Sequence, residues 1–103
     1  MPFFMLQATY TPERWATMIA SPEGGACENT TRPVLERFGG RFVTGFLTFG
    51  EYDVMVIYEA PDNVKAATIS MTLGRTGGPF RAIKTTPLIT TVDARTALES
   101  AQD

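Results

Sequence analysis

Four segments of the chain are rich in aromatic and branched apolar residues and end at proline or glycine, which predicts four β-strands. They are Phe3–Tyr10, Arg41–Phe49, Asp53–Glu59 and a strand within Phe80–Val92. The second and third segments are separated only by the short turn Gly50–Tyr52, so they form a predicted hairpin.

Apolar residues three and four positions apart predict helices in the two longer connections. Thr11 is the expected N-cap of the first helix, and Pro12 suits its first position because proline has no N–H to satisfy. The segment Ser21–Gly25 interrupts this helix, and Pro33 predicts a bend or a late start in the piece that follows. Gly39 and Gly40 are expected to end the helical piece that follows.

Asp62 caps the predicted helix of the second connection, and Gly74 follows its last apolar residue. Residues 1–92 therefore form one predicted domain. Residues 93–103 form a C-terminal tail that either folds into a short helix or frays.

The predicted order of strand, helix, strand, strand, helix, strand is that of the ferredoxin-like fold, an α+β βαββαβ arrangement with a four-stranded antiparallel sheet. In this topology the fourth strand lies at an edge of the sheet. Pro87 agrees with that position, because proline cannot donate a hydrogen bond to a neighbouring strand.

Large apolar side chains occupy both faces of the predicted sheet. Phe4 alternates with Phe3 and Met5 in the first strand, and Phe42 and Phe46 are expected to share one face of the second. Two helices cover only one face, and an uncovered antiparallel face is usually polar. We therefore expect a second copy to cover the other face and form a dimeric α/β barrel, unless the tail or a long loop covers it.

Composition excludes several classes of function for the 103-residue chain. A net charge of −2 argues against binding a nucleic-acid backbone. The chain has no His and a single Cys, which excludes an internal disulfide and leaves no expected metal site or cofactor. Cys27 has no His partner, so its thiol is expected to be inert. With no apolar run long enough to span a membrane and no signal peptide, the expected location is the cytoplasm.

Two sets of residues are candidates for chemistry or binding. Asp53, Tyr52 and Tyr10 are the candidate catalytic groups, since a carboxylate and phenols are the available acids and bases. The candidate ligand-binding residues are Tyr10, Arg41, Phe42, Phe46, Tyr52, Asp53, Met55 and Arg81. The arginines suit a carboxylate ligand. A turn carboxylate or a buried aromatic ring in such a set equally suits a purely structural role.

The hairpin Gly50–Asp53, with the sequence Gly-Glu-Tyr-Asp, resembles the signature that names the GYD domain family. Similar landmarks occur in order over residues 4–90, at Tyr10–Glu13, Ser21–Glu23, Gly39–Arg41 and Glu59–Asp62. The resemblance implies a small bacterial or archaeal domain of the dimeric α/β barrel type, in a family largely without an assigned function.

Three hypotheses for function remain open. The first is a homo-oligomer that binds a small, partly apolar molecule at the sheet face or the subunit interface. The second is a cofactor-free enzyme of the monooxygenase, isomerase or dehydratase type that uses Asp, Tyr and Arg side chains, which rests on fold analogy alone. The third is an assembly or regulatory module that binds no DNA itself.

Overall fold

The computed structural model describes residues 1–24 and 27–102. The strands are β1 (Phe3–Tyr10), β2 (Arg41–Leu47), β3 (Val54–Glu59) and β4 (Phe80–Leu88). The helices are α1 (Pro12–Ala20), α2 (Cys27–Arg37), α3 (Asn63–Leu73) and α4 (Thr91–Ser100), with a 3₁₀ turn at Pro22–Gly24.

All pairings in the four-stranded sheet are antiparallel, and the strand order is β2-β3-β1-β4. This confirms the predicted α+β, ferredoxin-like arrangement. It also confirms that Pro87 lies in an edge strand, where its missing N–H costs no ladder hydrogen bond.

Local signals set the ends of the helices as the sequence indicates. Thr11 and Asp62 cap α1 and α3 by accepting hydrogen bonds from the N–H groups of Arg14 and Lys65. After α2, Gly39 has a φ of +79° and the N–H of Gly40 returns to the carbonyl of Leu35. The glycine pair therefore ends α2 with the left-handed geometry that favours glycine.

The late start predicted for the second helical piece is wrong. Helix α2 begins at Cys27, and Pro33 lies inside it. A proline in a helix interior removes one backbone hydrogen bond, but Leu35 and the half-buried Val34 and Phe38 anchor α2 to the core. Tertiary packing therefore outweighs the local preference of Pro33 to begin or break a helix.

Helices α1, α2 and α3 cover one face of the sheet, and the core lies between these two layers. Alternate residues of β1 and β3 are buried there, including Phe4, Leu6, Tyr10 and Tyr58. Leu35 of α2 closes the core from the helical side, together with Ala66, Ile69 and Leu73 of α3.

The second face of the sheet has no helix over it, and we call it the open face. It carries seven polar or charged side chains, and six large apolar ones that come from all four strands. They are Phe3, Met5, Phe46, Met55, Ile57 and Leu88. Most are half-buried by their neighbours in the sheet, whereas Phe46 is 57% exposed.

The prediction that Phe42 and Phe46 share a face is wrong. A β-bulge between Phe42 and Thr44 inserts one extra residue into β2. Phe42 pairs with Tyr58 on the helix-covered face, whereas Phe46 pairs with Met55 on the open face. Since side chains alternate along a strand, one inserted residue moves every later side chain to the opposite face.

The tail forms helix α4, which does not cover the open face. Ala94 is half-buried, and the other residues of α4 are exposed. No residue of α4 belongs to the core, and the molecule is 57 Å long but only 28 Å and 23 Å across.

Candidate functional site

The hairpin between β2 and β3 carries the acidic candidate, Asp53. Its backbone N–H donates to the carbonyl of Ala8 at 2.9 Å, and its side-chain Oδ2 accepts from the backbone N–H of Tyr10 at 3.0 Å. The last residue pair between β1 and β3 is Ala8 with Val54, so the N–H of Tyr10 lies beyond the end of the ladder. The Asp53 carboxylate takes the place of the missing strand carbonyl and fixes the hairpin to the end of β1.

The other turn residues serve the same hairpin. The hydroxyl of Thr48 donates to the carbonyl of Tyr52 at 2.7 Å, and the N–H of Thr48 donates to the carbonyl of Asp53 at 2.8 Å. Tyr52 is half-buried, and Gly50 has a positive φ of +159°, close to extended backbone. These bonds hold Tyr52 and Asp53 in fixed positions at the end of the sheet, just before β3.

A cleft of about 560 Å³ lies beside this hairpin, between the end of β1, helix α1 and the start of β4. We call it the hairpin cleft. Its polar lining includes Glu51, Asp53 and Arg81, and its apolar wall includes Trp15 and Ile19. The cleft is open to solvent, and its volume lies within the roughly 300–1,000 Å³ of small-molecule sites.

The end of the sheet beside the hairpin cleft is irregular. The pairing of β1 with β4 contains a bulge at Thr9 and Tyr10, and Arg81 lies at this bulge and pairs with neither residue. Thr9 lies on the open face and also lines the hairpin cleft. The cleft therefore meets the rim of the open face at this end of the sheet.

The structure brings only three of the eight candidate ligand-binding residues to the hairpin cleft: Tyr10, Asp53 and Arg81. The Tyr10 ring is buried in the core, where it lies edge-on to Trp15 and tilted against Phe80, each with ring centroids 5.2 Å apart. Its aromatic surface therefore serves packing, and only the margin of the residue reaches the cleft.

The remaining candidates lie elsewhere in the sheet. Phe46 and Met55 are neighbours on the open face, whereas Phe42 lies on the helix-covered face under the guanidinium of Arg32. Arg41 is at the opposite end of the sheet from Asp53, where it forms an ion pair with Glu59. Arg41 therefore supports the sheet edge and lies outside the hairpin cleft.

Seven of the ten residues that line the cleft were not among the candidates, and two of the seven, Trp15 and Ile19, form its apolar wall on α1. Trp15 packs against the core, and its margin lines the cleft. Ile19 is largely exposed one turn later on the same helix. Their spacing of four residues places both on one helix face. Whether that face lines a cleft depends on the position of the hairpin opposite, which the spacing does not predict.

A larger cleft of about 620 Å³ lies between α1, α2 and the loop before β4. Arg14 and Arg75 line it, but each already donates within the chain, Arg14 to the hydroxyl of Thr30 at 2.7 Å and Arg75 to the carbonyl of Thr72. Both arginines of this cleft are therefore engaged within the chain, whereas Arg81 of the hairpin cleft forms none of the ion pairs found among the described residues. The hairpin cleft is therefore the better candidate site.

Beneath α3, Tyr58 lies in the core with its hydroxyl buried. Burial raises the pKa of Tyr58 to about 12, and the nearby Thr85 hydroxyl offsets part of that rise. Thr85 and Ser70 share a hydrogen bond of 2.6 Å. This bond joins α3 to β4, away from the hairpin cleft.

Among the side chains that the structure describes, acidic residues form no group of three or more that could hold a metal ion. Among the helices of residues 1–24 and 27–102, none has the length and apolarity to cross a membrane. The expected inertness of Cys27 concerns a side chain outside the described residues.

The family model of the GYD domain matches residues 4–98, which is nearly the whole chain. A comparison with curated proteins finds no match.

Proposed function

Since the chain belongs to the GYD domain family, we propose that it is a homo-oligomer that binds a small, partly apolar molecule in the hairpin cleft, beside a sheet face covered by a second copy. The observation that carries this proposal is the meeting of two features at Thr9. This residue lines the hairpin cleft and lies on the open face. A second copy seated on the open face would narrow the mouth of the cleft.

The open face supports the oligomer because a single copy leaves its apolar side chains in contact with water. Six large apolar residues from four strands lie there, and burial of apolar surface stabilises by about 25 cal/mol per Å². A contiguous apolar patch of several hundred Å² on a single copy is typical of an interaction surface. A second copy presents the same patch, so two faces related by a two-fold axis are complementary in hydrophobicity.

The lining of the hairpin cleft indicates the chemistry of the ligand. Arg81 is exposed and forms none of the ion pairs found among the described residues, so its guanidinium can donate two parallel hydrogen bonds to a carboxylate. Trp15 and Ile19 offer an apolar wall to the body of the same molecule. We therefore propose a small carboxylic acid with an aromatic or branched apolar body.

A thermal-shift and calorimetric comparison of matched compounds tests this function. Aromatic and branched carboxylic acids are compared with their primary amides, which keep the shape and lose the charge. We expect some of the acids to raise the Tm and their amides to bind at least tenfold more weakly. The Arg81→Gln variant should lose this preference, because it keeps a polar side chain and removes the positive charge.

Lys65→Gln is the matched control for Arg81→Gln. Lys65 is an exposed cation on α3, so replacing it with Gln changes the net charge by the same amount as Arg81→Gln. It lines neither of the clefts described above. Ligand affinity should be unchanged in this variant. Equal binding of acids and amides, or equal losses in the two variants, would contradict the proposed site.

A further inference from the structure

The hairpin cleft contains charged side chains of both signs that do not pair with one another. Glu51 and Asp53 line it from the hairpin, and Arg81 lines it from the start of β4. The ion pairs found among the described residues join other side chains and involve none of these three. The Arg81 guanidinium therefore lies outside ion-pair distance of both carboxylates, although all three groups line the same space.

The balance of these charges disfavours a ligand that carries a negative charge alone. Two carboxylates against one guanidinium give the lining a formal charge of −1. A ligand carboxylate on Arg81 would share the cleft with Glu51 and Asp53, and like charges repel at short range. A ligand that also carries a cation removes this repulsion, because the cation binds the carboxylates through charge-assisted hydrogen bonds.

Asp53 is already fixed at the wall of the cleft. It is half-buried, and its Oδ2 accepts from the backbone N–H of Tyr10 at 3.0 Å. Among the described residues this is the one hydrogen bond of its carboxylate, which leaves Oδ1 as an acceptor. Asp53 can therefore hold the hairpin and a cationic ligand group at the same time.

Glu51 is the second acceptor, and it has no comparable structural role. It is exposed in the turn before β3, next to Gly50, which also lines the cleft. Among the described residues its carboxylate has no ion pair and no hydrogen bond. Its acceptor capacity is therefore available to a ligand, and replacing it leaves the bonds of the hairpin intact.

The apolar part of the lining comes from a different element. Trp15 and Ile19 form a wall on α1, and Ile19 is 74% exposed in a single copy. A matching ligand has an apolar body directed toward α1 and both of its charges directed toward the hairpin and β4. An α-amino acid with an aromatic or branched side chain has this distribution, since its ammonium and carboxylate groups are attached to one carbon.

We infer that the ligand of the hairpin cleft is an α-amino acid with an aromatic or branched apolar side chain. Its carboxylate binds Arg81, and its ammonium binds Glu51 and Asp53. The inference rests on the proposed function and narrows the ligand from carboxylic acids in general to those with an adjacent ammonium group. A single copy supplies all of these residues, so the inference does not depend on the oligomer.

Matched ligands that differ only in the amino group test the inference. The panel consists of the aromatic and branched L-α-amino acids, each compared with its deaminated acid, for example L-phenylalanine with hydrocinnamate and L-leucine with isocaproate. The deaminated acids keep the carboxylate and the apolar body. Isothermal titration calorimetry at neutral pH should find at least one amino acid that binds tenfold or more tightly than its deaminated partner.

A double variant tests which residues bind the ammonium group. Glu51→Gln with Asp53→Asn removes both carboxylates, so it should weaken binding of the amino acid at least tenfold. The same variant should bind the deaminated acid at least as tightly as the unmodified chain does, because the repulsion is gone. Damage to the cleft would instead weaken both ligands, and equal losses for the two would overturn the inference.

Glu23→Gln with Glu36→Gln is the matched control. Both residues are exposed carboxylates that line neither of the clefts described above, and the change in net charge is the same. The preference for the amino acid should stay within about twofold of that of the unmodified chain. A preference lost equally in the control would reflect the net charge of the protein and would overturn the inference.

The inference and the proposed function fail in different ways. If deaminated acids bind the unmodified chain as tightly as the amino acids, and Arg81→Gln weakens both, the amino-acid ligand is contradicted and the proposed carboxylic-acid site stands. If neither class of compound binds, the proposed function itself is contradicted, and the inference with it.

Discussion

The backbone N–H of Tyr10 donates a 3.0 Å hydrogen bond to Oδ2 of Asp53, 43 residues away in the sequence. This bond joins the end of β1 to the hairpin that follows β2, at the wall of the hairpin cleft. Asp53, the Asp of the family signature, thus has a structural role. The sequence alone does not distinguish this role from a chemical one. The Asp53 carboxylate extends the ladder by one acceptor, one residue before β3 begins.

Replacing Asp53 should show how much this bond contributes. Asp53→Ala leaves the partly buried N–H of Tyr10 without its acceptor, which should lower the free energy of unfolding by about 1–3 kcal/mol. Asp53→Asn keeps a side-chain oxygen in the same place and should recover most of that loss. Urea unfolding of the three proteins provides the comparison, and equal losses in Ala and Asn variants would contradict a hydrogen-bonding role.

Tyr58 should make stability depend on alkaline pH. Its pKa is raised to about 12 in the folded state by burial, against about 10 in an unfolded chain. The neutral phenol is therefore favoured by folding, so its contribution is complete below pH 10 and is lost as the pH rises toward 12. The loss is of the order of 2–3 kcal/mol over this range.

The Tyr58→Phe variant isolates this effect from other alkaline titrations. It keeps the ring, which stacks on Phe4 with centroids 5.6 Å apart, and removes the ionisable group. Urea midpoints measured from pH 9 to 11.5 should fall more steeply for the unmodified chain than for the variant. Parallel curves would show that Tyr58 ionises as easily in the folded state as in the unfolded one.

Pro33 should be a site where a single substitution stabilises the protein. It lies exposed inside α2 and supplies no N–H to the helix. Pro33→Ala restores a hydrogen bond, although it also loosens the unfolded chain, so we expect a net gain of about 1–2 kcal/mol in the free energy of unfolding.

Pro61→Ala is the control for this change. Pro61 lies between β3 and the N-cap of α3, outside any helix, so its removal should lower stability slightly through the unfolded state alone. The two substitutions should therefore shift the urea midpoint in opposite directions. A destabilised Pro33→Ala protein would mean that α2 depends on a bend at this residue.

Phe46 should be a sensitive residue of the oligomer. It lies on the open face and is 57% exposed in a single copy, so Phe46→Glu places a charge in each of the two paired faces. We expect the dissociation constant to rise at least tenfold. Phe49→Glu is the control, since Phe49 is 97% exposed in the loop beyond β2. Size-exclusion chromatography with light scattering measures the association of both variants. If the two substitutions weaken association equally, the interface does not lie on the open face.

The strand order and the helix ends follow from local chemistry, which is why they could be predicted. Thr11, Asp62 and the glycines after α2 act through neighbouring backbone groups, and Pro87 restricts its strand to an edge. The hairpin was also identified from its turn residues.

Features that depend on tertiary packing could not be predicted in this way. The bulge near Val43 leaves the composition of β2 unchanged but moves Phe46 to the open face, and only the pairing with β3 reveals it. Likewise, proline usually breaks a helix, yet Pro33 lies inside α2. The packing of Leu35 in the core stabilises the helix around it. The hairpin cleft depends on three separate elements, so its lining became visible only when they were assembled.

The central claim is that the open face of the sheet is covered by a second copy, and sedimentation equilibrium of the unmodified chain tests it most directly. The account predicts, at 10 µM protein and neutral pH, a mass of twice the 11.3 kDa of a single chain or a higher even multiple. A mass of 11.3 kDa that persists up to 100 µM would contradict it.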